Sequence, residues 1–313
     1  MWRYAARRTL ATLPVMAVVA LFVFSLLYLA PGDPAAIIAG DQASVEDIAR
    51  IRASLGLDRP FLVRFGEWLW HVLHGDLGTS IFANLPVAHM IGQRVEPTLS
   101  LMVLTLSFAI VVAVPLGVLA AARAGSWIDR LVMLCAVVGF SVPVFVLGYL
   151  LAWVFALQLD WLPVQGYTPL AQGVLPWLRS LVLPVLALGA IYIALIARIT
   201  RAAMLEVLGQ DYIRTARAKG LGVGPILFVH ALKNAAVPIV TVIGLGVALL
   251  IGGAVVTESV FAIPGIGRLV VDAILRRDYP VIQGVTLLFS FVYVLVNLAV
   301  DLLYTVLDPR IRQ

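Results

Sequence analysis

Three residues that could do chemistry lie close together in the sequence. His71, His74 and Asp76 have the types and spacing that can suggest a metal site. His71 and His74 fit one face of a helix, but Gly75 breaks the turn before Asp76, so the stretch reads as a connection and no metal is expected. The other two histidines, His89 and His230, are scattered far from this group. There is no G-x-x-x-x-G-K-[S/T] phosphate loop, no G-x-S-x-G elbow and no H-E-x-x-H pair. Gly220, Gly222 and Gly224 form a G-x-G-x-G, but no strand precedes it, as a dinucleotide site would need. No catalytic residue is expected, and no cofactor bound by this chain.

Ionisable groups inside apolar runs are also scarce. Asp301 is the clear case, with Asn297 one helical turn before it on the same face. A charge in a membrane span is costly and marks a transport path by default. Asp301 lies near the end of its run, so local pairing with an arginine or a backbone N–H is the expectation. Gly244, Ala248 and Gly252 put small residues at every fourth position of another apolar run, which permits close helix packing.

The densest charge sits in Arg198–Pro238, between the uncharged runs Ser180–Ala197 and Asn234–Thr257. This stretch carries six of the chain's 22 Lys+Arg: Arg198, Arg201, Arg214, Arg217, Lys219 and Lys233. A basic loop between two spans stays on the cytoplasmic side. Its pattern predicts short helices. One runs from near Arg201 to Leu208. A second, Tyr212–Lys219, is capped by Asp211 and stopped by Gly220. Gly224-Pro225 restarts the chain. Tyr212, Ala216 and Lys219 share one face of the second helix, and Ala216 and Ala218 keep it slim. A structured, charged helix held between two spans suggests a docking element for a soluble partner.

The elements that must position it are membrane spans. The 313 residues are 62% hydrophobic and only 12% charged, against about 25% charged in ordinary globular domains. The net charge of +5 resides at span ends, so it reads as topology and not as a nucleic-acid footprint. The lone Cys135 forms no disulfide framework. The expected organisation is a first span within residues 1–32 and an outer helical region, 33–96, with a Ser44-x-x-Asp47 capping box and an aromatic-faced helix after Asp58-Arg-Pro60. Five more spans follow near 99–122, 131–159, 180–200, 234–257 and 280–306, the third kinked at Ser141-Val-Pro143. Trp161–Leu178, rich in Pro and Gly, reads as an interfacial loop, Glu258–Asp278 as a loop, 201–233 as the cytoplasmic loop and 308–313 as a tail. Six spans, with Lys and Arg concentrated on the shorter segments, place both termini in the cytoplasm. The reading is a transport pathway without its own energy source. The rival class is a self-contained channel or secondary carrier, which would show more intramembrane charges and usually a repeat.

Motifs across essentially the whole chain resemble one family. They include PGDP (Pro31–Pro34), LGLDRP (Leu55–Pro60), GDLGTS (Gly75–Ser80), PLGVLAA (Pro115–Ala121) and SVPVF (Ser141–Phe145). They continue with DYIRTARAKGL (Asp211–Leu221), HALKNAAVP (His230–Pro238), ESVFAIPGIGRL (Glu258–Leu269), RDYP (Arg277–Pro280) and DLLYTVLDPR (Asp301–Arg310). In this order the set is similar to the B-type membrane subunit of dipeptide/oligopeptide ABC importers, a family that includes nickel and glutathione permeases. The resemblance implies an all-α integral membrane protein with the six-span type I importer permease fold and a small helical extracytoplasmic segment. It implies that the charged stretch is the family's coupling loop, carried by Asp211, Tyr212, Arg214, Thr215, Ala216, Arg217, Lys219 and Gly220. Gly220 matches the motif's glycine and Ala216 its second alanine. The motif's glutamate falls on Arg214, and the Gly220–Pro238 interval is longer than in sugar-type permeases. It further implies an extracytoplasmic gate or binding-protein contact at Glu258, Phe261, Pro264, Gly265 and Gly267. The implied partners are membrane lipid, a second homologous permease subunit, two cytosolic ATPase subunits that bind ATP and Mg, and an extracytoplasmic binding protein. The implied location is a bacterial or archaeal plasma membrane.

Overall fold

The computed structural model of the protein describes residues 2–29, 35–36, 44–54 and 56–307. The PGDP motif, Leu55 and the residues from Asp308 lie outside the described residues. A bilayer leaves no water to satisfy the backbone, so a spanning segment must close its own hydrogen bonds. The described residues are accordingly helical almost throughout, and their only strand-like pairing is one Thr79–Pro86 bridge.

Twelve helices carry the description: α1 (Trp2–Leu29), α2 (Val45–Ser54), α3 (Phe61–Leu73), α4 (Val87–Gly92), α5 (Val95–Ala122), α6 (Trp127–Ser141), α7 (Val144–Leu151), α8 (Val174–Leu208), α9 (Asp211–Ala218), α10 (Leu232–Val260), α11 (Ile266–Arg276) and α12 (Tyr279–Leu307). Five stretches are long and apolar enough to cross a membrane: Arg8–Leu29, Val87–Ala122, Val174–Leu208, Val223–Val260 and Tyr279–Leu302. The third expected span, 131–159, is a bent pair. Trp127–Ser141 and Val144–Gln158 meet at 102°, far more than a kink, and count as one crossing only if taken together. Val142 and Pro143 leave the helical backbone there (ψ 122° and 140°), because proline disfavours a helical residue before it.

Several expected boundaries move. The fourth span does not stop at Ala197 and give way to a new helix near Arg201. Arg201–Leu208 contains no helix breaker, so α8 runs unbroken to Gly209. The fifth begins earlier than Asn234. Val223–Pro225 opens a turn that widens into a π-helical stretch, Ile226–Ala231, and flows into α10. Glu258–Asp278 is not simply a loop, because it holds α11, whose Leu269 and Ala273 are buried while Ile274 and Leu275 stay exposed.

The chain divides into two compact units, Trp2–Arg94 with Leu269–Val294, and Val95–Arg268 with the residues from Leu295. In the first unit, α1 and α3 pack through aromatic rings: Phe24 lies 5.3 Å from both Phe61 and Trp68 and 5.5 Å from Phe65. The Arg64 guanidinium lies over the Phe24 and Tyr28 rings and donates to the Tyr28 hydroxyl. The GDLGTS stretch turns with Gly75 and Gly78 at positive φ (both +84°) and docks on the start of α12. Ser80 Oγ donates to the buried Asp278 Oδ2 at 2.5 Å, and the Ile81 N–H donates to Oδ1 at 3.2 Å.

The core of the second unit lies among α5, α8 and α10, around Leu101, Leu181, Leu188, Ile196 and Leu250. Close approach depends on glycines. A Cβ on Gly117 would sit 2.7 Å from the Ala197 carbonyl oxygen, and one on Gly253 2.7 Å from Leu188 Cδ1. The expected small-residue row behaves unevenly. Gly244 meets Val300 of α12, Ala248 is half-buried, and Gly252 faces open space. The α8-facing row of α10 is instead Gly246 and Gly253, which approach Tyr192 and Leu188.

Arg201 has a packing role beyond topology. Its Nε and Nη2 donate to Asp129 Oδ1 and Oδ2 at 2.5 and 2.7 Å, and the Gly125 N–H donates to Oδ2 at 2.9 Å. This fork ties α6 to α8 with Asp129 buried. Arg201→Ala leaves that carboxylate with the Gly125 N–H alone and is expected to cost about 1–3 kcal/mol, seen as a lower thermal midpoint of the purified chain. Arg198→Ala serves as a control with little loss; equal midpoints for the two variants would contradict this role.

Candidate functional site

The charged stretch forms one short, well-held helix. α8 ends at Gly209, and Gln210, extended at ψ 148°, starts α9 without a side-chain cap. Asp211, expected as the cap, instead sits in the first turn, where its charge favours the helix dipole, and it accepts from Arg214 Nη1 at 3.3 Å. Gly220 stops the helix as expected, at φ +82°. The Gly220 N–H reaches the Arg217 carbonyl at 2.9 Å and the Leu221 N–H the Ala216 carbonyl at 3.2 Å, the closing pattern that favours glycine.

One apolar side chain anchors this helix. Ile213 is 0% exposed and packs among Val118, Ala203, Met204, Ile226 and Ala235. Ala216, one turn on, is half-buried beside it. Of Tyr212, Ala216 and Lys219, which share a face by spacing, Tyr212 and Lys219 are exposed while Ala216 sits on the flank of the anchored side. Asp211, Tyr212 (44% exposed), Arg214, Thr215, Arg217 and Lys219 are exposed. The sequence reading passed over Ile213, although its i, i+3 relation to Ala216 was the available signal. A rigidly seated helix offering a ring, a hydroxyl and three cations can bind a protein surface and transmit a push into α8 and α10.

The second expected site is a buried pin more than a surface. Glu258 is 0% exposed. Its Oε1 accepts from Thr98 Oγ1 at 2.6 Å, and its Oε2 accepts from the Arg268 N–H at 2.8 Å. Thr98 Oγ1 in turn accepts from the Ile266 N–H at 2.8 Å. Gly265 and Gly267 press on the carboxylate so closely that a Cβ on either would overlap it. Phe261 is buried as well, its ring against Gly148 and its carbonyl accepting from the Gly166 N–H at 2.8 Å. Of the five expected gate or contact residues only Pro264 is exposed. Thr98, missed in the sequence, is the residue that links the pin to the start of α5.

Elsewhere, His71 Nδ1 lies 3.5 Å from Asp76 Oδ2, while His74 Nδ1 turns to the Trp70 carbonyl at 2.8 Å. No group of three metal-ligating side chains converges among the described residues. Asn297 and Asp301 are half-buried on α12.

Fold and site together define a multi-pass helical membrane protein with an anchored, exposed helix between two of its spans. Residues 1–102 match the family described as binding-protein-dependent transport system membrane component, N-terminal. Residues 113–313 match the binding-protein-dependent transport system inner membrane component family. The chain is 56% identical over 309 residues to a probable peptide ABC transporter permease protein of Sinorhizobium fredii, covering 99% of both chains. It is 42% identical to the dipeptide transport system permease protein of Alkalihalophilus pseudofirmus, covering 100% of both. It is 44% identical to the glutathione transport system permease protein of Salmonella typhimurium, covering 100% of this chain and 99% of that one. A solved structure of the MetNI methionine ABC transporter shares the fold, with a TM-score of 0.58 at 20% identity over 70% of this chain and 96% of that one. The chain belongs to the inner-membrane components of binding-protein-dependent transport systems, and it is a permease subunit of the peptide-type branch with the type I importer fold.

Proposed function

We propose that this permease forms half of the translocation pathway of an ATP-driven importer for peptides or a related small substrate, with α9 as the element that couples it to cytosolic ATPase subunits. The observation that carries the coupling role is the exposed polar face of α9 on a helix fixed by the fully buried Ile213. The peptide, dipeptide and glutathione permeases among its relatives support the substrate class. ATP and Mg would be held by the partner ATPases, the other half of the pathway by a second homologous permease, and substrate would arrive on an extracytoplasmic binding protein. Both termini and α9 would then lie in the cytoplasm, and α3 outside, as the distribution of Lys and Arg supports. ATP binding would draw the two coupling helices together and open the pathway outward.

Two measurements test this reading. With Cys135 replaced, cysteines at Ser44 and Gln210 should label from opposite faces of sealed membranes; labelling from one face contradicts the topology. In proteoliposomes, uptake should need ATP, the ATPases and the binding protein. Uptake by this chain alone without ATP would favour a self-contained carrier.

A further inference from the structure

A cavity of about 480 Å³ opens beside α9, between the ends of α5 and α8 and the turn that leads into α10. That volume is in the range of ligand sites. Most of its lining side chains are apolar, with Ala121 and Ala122 from α5, Leu205 and Leu208 from α8, and Val223 beyond α9, while about half of the wall surface is polar, from backbone and Arg217. The single charged residue in the lining is Arg217. The guanidinium of Arg217 has no hydrogen-bond or ion-pair partner among the described residues, whereas Arg201 and Arg214 each have a carboxylate. The rim is asymmetric in the same way. On one side Val223 (72% exposed) continues into exposed Phe228 and Val229, an apolar surface at the foot of the span Val223–Val260. On another side Ala122, exposed, is followed by exposed Arg123.

An occupant matched to this site has an anionic head and a hydrocarbon tail, and it enters from the bilayer. We propose that the cavity holds one anionic phospholipid of the cytoplasmic leaflet, its phosphate on Arg217 and an acyl chain among Ala122, Leu205, Leu208 and Val223. The proposal rests on the cytoplasmic placement of α9. The apolar rim is continuous with the lipid-facing surface of the span, which gives a chain its route in. The cytoplasmic leaflet supplies anionic headgroups, and basic side chains near its surface attract them. A lipid seated here would brace α9 against α8 along the Arg217 flank of its exposed face, so occupancy would tune how firmly the helix is held.

The test uses the full-length purified chain in mixed micelles with a photoreactive phosphatidylglycerol whose diazirine is on the acyl chain. Adducts are located by peptide mass spectrometry. Labelling should concentrate on peptides spanning residues 202–227 and be displaced by unlabelled phosphatidylglycerol but not by phosphatidylcholine or inorganic phosphate. Ala122→Phe, which fills the cavity from its exposed wall, should reduce that labelling about tenfold. Arg217→Gln, which removes only the charge, should weaken it about fivefold. Displacement by inorganic phosphate would show a small-anion site in place of a lipid site. Labelling spread evenly over the lipid-facing helices, or unchanged in both variants, would overturn the proposal. The readout involves no ATPase and no sidedness, so its failure leaves the coupling role of α9 standing, and a failure of coupling leaves a mapped lipid adduct standing.

Discussion

Replacing Glu258 by alanine is expected to be the most damaging single substitution among the candidate site residues, at about 3–5 kcal/mol of stability. The physical reason is the number of groups that depend on one carboxylate. Glu258→Ala deprives the Thr98 hydroxyl and the Arg268 N–H of their acceptor and opens a void beneath Gly265 and Gly267. Glu258→Gln keeps the volume but turns an NH2 group toward one of two donors, so a loss of about 1–3 kcal/mol is expected. Thr98→Val should destabilise in the same direction, because it removes the relay from Glu258 to the Ile266 N–H. Thermal unfolding and membrane yield of the purified variants provide the measurement. Normal yield and midpoint in Glu258→Gln, with altered binding-protein docking, would return Glu258 to the surface role that its motif implies.

The second large effect concerns α9. Tyr212→Ala removes an exposed aromatic from the centre of the proposed contact, and interface tyrosines of this kind commonly contribute about 2 kcal/mol, or roughly 30-fold in affinity. Co-purification of the ATPase subunits should fall accordingly while the level of this chain in the membrane stays unchanged, because Tyr212 lies outside the buried cluster around Ile213. Arg214→Glu should act through charge, and its effect should weaken at higher salt. Ala216→Trp belongs to a different class. Ala216 is half-buried beside Ile213, so a tryptophan there overpacks the helix against its own seat, at about 1–3 kcal/mol. It should lower both chain level and docking, where Tyr212→Ala lowers docking alone. Identical behaviour of the two variants would contradict the orientation of α9.

The sequence made the spans and the coupling helix legible for physical reasons that differ. Long uncharged runs mark spans because the bilayer penalises charge, and α9 was visible because Gly220 alone in DYIRTARAKGL readily adopts φ +82°. Helix ends were less legible. Arg201–Leu208 looked like a new helix because its charges mark a membrane boundary, yet a backbone helix need not stop where the bilayer does, and α8 continues to Gly209. The 102° bend exceeds the kink that Ser141-Val-Pro143 predicts, since the sequence shows the proline but not the direction the chain takes after it. The site residues divide along the same line. Exposed α9 residues were found from charge and spacing, whereas Ile213, Thr98 and the Asp129–Arg201 fork act through partners distant in sequence. Glu258 was singled out by its motif, but its burial depends on Thr98, 160 residues away, which no local pattern reveals.

The central claim is that α9 touches an ATP-hydrolysing partner. The most direct measurement is site-specific disulfide or short-linker cross-linking from a cysteine at Tyr212, with Cys135 replaced, in membranes from cells expressing the whole transport system. The account predicts one dominant adduct, identified by mass spectrometry as a subunit bearing a phosphate-binding G-x-x-x-x-G-K-[S/T] loop, with a yield that changes when ATP is added. A cysteine at Leu249, exposed on α10 within the span Val223–Val260, should give no such adduct. Absence of the adduct at Tyr212, in membranes where ATP-dependent uptake is intact, would contradict the account.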